Sequence, residues 1–112
     1  TRPVILENNT TALDIRLTSN IRATSSVEVY FRTTSSEEAR SIDDLSWIPF
    51  NTTGKEDLSI TPAEDNTTFR EYKYSASGLN EFTAFQIKIV MKGTNSSYPP
   101  VIRDMRGIAL AV

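Results

Sequence analysis

Four adjacent acidic pairs, Glu37-Glu38, Asp43-Asp44, Glu56-Asp57 and Glu64-Asp65, are the groups in this chain best suited to proton transfer. Glycoside cleavage would need two such carboxylates facing each other across a groove, one of them held protonated. Adjacent residues on an extended backbone point to opposite sides, so no pair makes that geometry by itself. The same acids offer the hard oxygen ligands that calcium takes, and Asp57, Glu64 and Asp65, near Asn66, form the candidate set. They lack the Asp-x-Asp-x-Asn-Gly spacing of a dedicated calcium loop. The reading of these acids is therefore solvated loop carboxylates, and no cofactor is expected.

The chain has no histidine and no cysteine. That removes the usual general base at neutral pH, the Ser-His-Asp arrangement, thiolate nucleophiles, Cys-ligated metal sites and disulfides. Its four glycines, Gly54, Gly78, Gly93 and Gly107, are isolated, so there is neither a phosphate-cradling loop nor a dinucleotide fingerprint. Twelve Lys+Arg against fourteen Asp+Glu leave a net charge of -2, with the basic residues scattered, which argues against nucleic-acid binding. No enzymatic activity is expected on these grounds.

Carbohydrate binding needs an exposed aromatic ring beside polar groups that reach sugar hydroxyls. Trp47 is the single tryptophan; Tyr30, Tyr72 and Tyr98 are candidate partners, with Arg32 as a donor. Tyr30 and Tyr72 stand between charged neighbours on their strands, which favours exposure. Trp47, close to Pro49 and Phe50, equally fits the margin of a core. Exposed aromatics could also meet another protein chain.

The elements that would position these groups are strands. Ser, Thr and Asn make up 33 of the 112 residues, a mixture suited to short strands and wet turns. Strict alternation marks Leu13, Ile15 and Leu17, then Val27, Val29 and Phe31, and a longer strand with Phe85, Ile87, Ile89 and Met91 on one face. Arg2–Glu7 reads as a first strand and residues 8–11 as a turn. Ser35–Asp44 reads as a loop, with a helical turn capped by Ser35 or Ser36 as the alternative. Pro49 confines the segment around Trp47 to a sheet edge. Gly54 can take positive φ in the turn that follows. Leu58 and Ile60 predict a short strand, and Phe69–Tyr74 another whose buried face is ambiguous. Residues 102–112 read as a last strand, re-phased by a bulge near Arg106-Gly107. The sum is one all-β domain over residues 1–112, an antiparallel β-sandwich or jelly roll of about eight strands.

Five Asn-x-Ser/Thr triplets occur, at Asn8, Asn9, Asn51, Asn66 and Asn95, and a composition this rich in Asn, Ser and Thr generates them without any glycosylation. No apolar run is long enough to span a bilayer as a helix, so a soluble chain without membrane insertion is expected. Thr1 in first position and the apolar finish 107–112 read as the C-terminal piece of a larger protein.

Phe69-Arg70-Glu71-Tyr72-Lys73-Tyr74, Gly78-Leu79, the strand Phe82–Met91 and the continuation Thr94–Arg106 together resemble a module of large virion structural proteins from T4-like and marine cyanobacterial tailed phages. Ala12–Thr18 and Val27–Arg32 fit the same pattern more loosely, while residues 34–65 depart from it. The resemblance covers roughly two thirds of the chain. It implies a β-sandwich at the C-terminal end of a baseplate, tail or fibre-associated protein. It also implies a virion location, with other virion proteins or further copies of itself as partners and no catalytic residues to carry over. Host-surface glycans remain the alternative ligand.

Overall fold

The computed structural model describes residues 4–23, 25–35, 38–58, 60, 62–65, 67–93 and 100–110, with side chains 7–9 and 108–110 left aside. Seven strands carry the fold: β1 Val4–Thr10, β2 Ala12–Asn20, β3 Ser25–Thr34, β4 Ile48–Pro49, β5 Arg70–Ala76, β6 Phe82–Gly93 and β7 Val101–Leu110. They form two antiparallel sheets, one ordered β1-β6-β3-β4 and the other β5-β2-β7. Only β3 and β4 follow each other within one sheet, so nearly every connection crosses from one sheet to the other. The first and last strands end up as edges of different sheets.

Alternation builds the core between them. Leu13, Ile15 and Leu17 of β2 face Val27, Val29 and Phe31 of β3 and Phe85 and Ile87 of β6, all buried. Burying such side chains is the main favourable term, at about 25 cal/mol per Å² of apolar surface. The ambiguity in β5 resolves inward, with Tyr72 and Tyr74 both in the core. Phe50 links the sheets, its ring 4.7 Å from Phe31 and 6.1 Å from Tyr74. Tyr74 carries its hydroxyl inside without a hydrogen-bond partner among the described residues, and burial raises its pKa. No helix among the described residues is long and apolar enough to cross a membrane.

Several expectations need correction. The strand count among the described residues is seven, because Leu58 and Ile60 lie outside any strand. β1 continues through the expected turn at residues 8–10, with a register shift against β6 between Ile5 and Thr10. The helical turn sits later than expected. It is a short 3-10 turn at Ile42–Asp44, capped by Ser41, whose hydroxyl accepts from the Asp43 amide. Met91 leaves the dry face and is 56% exposed, because β6 outruns the core at its end.

The bulge in β7 falls elsewhere. Thr18 pairs with Asp104 but Ser19 with Ile102, so Arg103 is the inserted residue. Its guanidinium stacks 4.6 Å from the Phe69 ring. Gly107 has another role: it pairs with Ile15, and a Cβ there would come within 3.0 Å of Ile15 Cδ1 and 3.9 Å of Phe85 Cε2. Glycine leaves room there for the side chain of Ile15, its cross-strand partner in the same sheet. Gly54 does take positive φ, at 82°, and its buried position would bring a Cβ to 3.0 Å from Glu28 Cβ. Its amide donates to Phe50 and its carbonyl accepts from Val29, tying the turn to β3.

Candidate functional site

The outer face of the four-stranded sheet gathers the aromatic and basic side chains. On β3, Glu28, Tyr30 and Arg32 alternate with the buried set, and the register places Tyr30 opposite Lys88 and Arg32 opposite Gln86 on β6. The edge strand β4 pairs with Tyr30 and Phe31, which brings the preceding residue, Trp47, across that face. Trp47 is half-buried. The Arg32 guanidinium lies 4.1 Å from its ring centroid, and Lys88 Nζ lies 5.1 Å from it and 4.9 Å from the Tyr30 ring. Cations over ring faces are attracted by the ring quadrupole. The result is an interleaved row of Arg32, Trp47, Lys88 and Tyr30.

Arg32 was expected to offer its donors to a ligand, and the structure corrects that. Nε and Nη2 donate to Gln86 Oε1 at 2.8 and 2.6 Å, and Nη1 donates to the Asp43 and Leu45 carbonyls at 3.3 and 3.2 Å. Nη2 also meets Asp43 Oδ1 at 3.3 Å. All three guanidinium nitrogens are engaged, and the side chain is only 10% exposed. Arg32 therefore positions the 43–47 segment, and Trp47 with it.

Tyr30 is half-buried and donates its hydroxyl to Glu28 Oε1 at 2.8 Å, which raises the tyrosine pKa. Glu28 is held below the usual carboxylate range by Lys92 at 3.0 Å and by that hydroxyl, with Lys55 at 3.9 Å adding to the attraction. Lys88, Gln86 and Glu28 were not singled out from the sequence. Their signal was available in the alternation of β6 and β3, but only once the pairing register is known.

Tyr72 does not join this face. It belongs to the other sheet, is 3% exposed, and its pKa is raised by desolvation. The charged neighbours Glu71 and Lys73 point outward, and the same alternation sends Tyr72 in. Its ring helps line a cleft of about 340 Å³ at one end of the sandwich, together with Ile21, Arg22, Lys55, Glu56 and Ile60. Tyr98 lies outside the described residues.

The acids are not gathered either. Asp57 Oδ1 accepts from the Ser75 amide at 3.0 Å and from Asn51 Nδ2 at 2.8 Å, while Oδ2 accepts from Ser75 Oγ at 2.6 Å. Burial works against its ionisation, but the Ser75 and Asn51 hydrogen bonds prevail and its pKa is lowered. Asp65 is pulled down to about 2 by hydrogen bonds from Thr68 and Thr67. Glu64 is exposed, Glu37 and Asn66 lie outside the described residues, and among those described no three of His, Cys, Asp or Glu form a metal-binding group. The calcium set Asp57, Glu64 and Asp65 is thus corrected: Asp57 and Asp65 spend their carboxylates on the backbone of β5 and of the 65–68 turn.

The arrangement as a whole can stack a flat ligand or a partner side chain against Trp47 and offer Lys88 beside it. Comparison of the chain with protein-family models, with curated proteins and with solved structures finds no match.

Proposed function

We propose that this chain is a non-enzymatic contact domain of a phage virion, part of a tail or baseplate protein, that works through rigid association with neighbouring protein chains. The observation that carries the reading is how the chemically capable side chains are spent. Arg32 braces the Trp47 segment, Asp57 braces β5, Asp65 caps its own turn, and Glu28 binds Tyr30 and Lys92. The resemblance of residues 69–106 to virion modules supplies the setting. The outer edge of β7, without a strand beside it among the described residues, is where the three-stranded sheet can extend onto a neighbouring chain. Mass spectrometry of purified virions from a phage encoding this chain tests the proposal. Peptides of the chain in stoichiometric amount with tail proteins support it, and a chain absent from purified particles rejects it.

A second reading, a module for host-surface glycans, rests on the half-buried Trp47 with Lys88 at 5.1 Å from its ring. A glycan array followed by Trp47→Ala decides it. Binding to a host polysaccharide that falls about fivefold or more in the variant favours this reading, since stacking on one ring contributes about 1–3 kcal/mol by analogy with base–aromatic stacking. Wild-type retention by the variant ends the role of Trp47.

A further inference from the structure

Every sheet edge presents unpaired backbone donors and acceptors and has to be managed. Of the four edges here, that of β5 is closed from within the chain and that of β4 is only two residues long. Asp57 acts as a surrogate strand along β5: its amide donates to the Lys73 carbonyl at 2.8 Å, and its carboxylate takes the Ser75 amide. The margin of β3 is covered by β4 and by the Gly54 carbonyl, which accepts from Val29. β1 and β7 have no such cover among the described residues. β1 is broken by its register shift. β7 is the longer, with ten residues, and regular beyond the bulge at Arg103.

The sequence of β7 is self-complementary. In an antiparallel pair centred on Met105, Asp104 of one chain stands opposite Arg106 of the other, and Arg106 opposite Asp104. Within one chain these two meet only at 3.7 Å, with side chains 58% and 64% exposed. Met105 itself is exposed, as is Val101 near the start of the strand. Opposite charges directly across an antiparallel ladder attract, and a two-fold pairing uses each such contact twice.

The geometry points to the outer edge of β7 as a homodimer interface, in which a second copy of this chain pairs antiparallel about Met105 and fuses two three-stranded sheets into one of six. This deepens the contact reading above by naming one partner, and it rests on that reading for its biological purpose.

Sedimentation of the chain from about 1 µM to about 1 mM, the range of weak to moderate association, is expected to show a monomer–dimer equilibrium. Asp104→Arg alone and Arg106→Asp alone each place like charges opposite one another twice and should raise the dissociation constant roughly tenfold or more. The double variant D104R/R106D restores opposite signs and should recover most of the loss, an outcome that general destabilisation would not give. Because the chain has no cysteine, Met105→Cys is a clean geometric probe. Directly opposed antiparallel residues lie about 4.5–5.5 Å apart at Cα, within the range a disulfide bridges, so mild oxidation should yield a covalent dimer. A monomer throughout, a dimer indifferent to the charge reversals, or efficient cross-linking through Ile5→Cys in place of Met105→Cys overturns the proposal. A monomer that is still found in virions would sink the dimer and leave the contact reading standing.

Discussion

Arg32 is the residue on which the outer face depends. Its guanidinium holds Gln86, the Asp43 side chain and the Asp43 and Leu45 carbonyls at once, under the Trp47 ring. Replacing it with alanine removes its bonds to Gln86 Oε1 and to the Asp43 and Leu45 carbonyls, and charge-assisted bonds in such partly buried places contribute about 1.5–3 kcal/mol. Arg32→Ala should therefore lower the unfolding free energy by about 2–3 kcal/mol in urea titration. It should also shift the emission of Trp47, the single tryptophan, to the red as the 43–47 segment loosens. An unchanged spectrum with unchanged stability would contradict the bracing role. At acid pH the relevant groups are Asp65, Asp57, Glu28 and Glu38, all with lowered pKa. A depressed folded-state pKa gives stability that is present above the unfolded value and lost as pH falls through the folded one. For Asp65 that window runs from its ordinary 3.8 down to about 2. The urea midpoint should accordingly fall between those limits, and Asp65→Asn, which keeps a capping oxygen but cannot titrate, should flatten part of that fall.

At the scale of elements, the turn after β4 and the edge of β5 hold the sandwich closed. Gly54 sits at φ 82° against Glu28, so Gly54→Ala meets both a strained backbone and a close contact. It should cost about 1–3 kcal/mol, read as a lower denaturant midpoint at unchanged slope. Asp57→Ala removes the carboxylate half of the cover of β5, freeing the Ser75 amide, and should both destabilise the fold and promote self-association through that edge, visible as new high-mass species in light scattering. Sequence alone made β2, β3 and β6 legible, because alternating Leu, Ile, Val and Phe leave one dry face whatever the neighbours are. It also picked out Tyr30, Arg32 and Trp47, which do meet. It missed Lys88, Gln86 and Glu28 because alternation within one strand does not say which strand lies beside it. β7 was misread for a sharper reason. One inserted residue at Arg103 inverts the faces of everything before it relative to everything after. Alternation alone therefore points to Arg106-Gly107 as the bulge, whereas Gly107 pairs with Ile15 and leaves room for its side chain.

On the scale of the whole molecule, the two outer faces differ in kind. The three-stranded sheet carries a charge ladder in which Arg16 meets Asp14 and Glu71, Arg106 meets Glu71 and Asp104, and Lys73 meets Asp14. Exposed pairs of this sort contribute little individually and keep a face wet and selective. The four-stranded sheet instead shows Trp47, Tyr30 and Lys88. On the contact reading proposed above, the aromatic face would meet partners, the charged face would stay wet, and the β7 edge would extend. The direct test of that account is cross-linking mass spectrometry on intact virions with a lysine-reactive reagent, since Lys88 and Lys92 lie on the aromatic face and Lys73 on the charged one. The account predicts cross-links from Lys88 and Lys92 to neighbouring tail or baseplate chains. Particles that contain the chain but give no cross-link from that face to any other virion protein, with Lys73 equally silent, would contradict it.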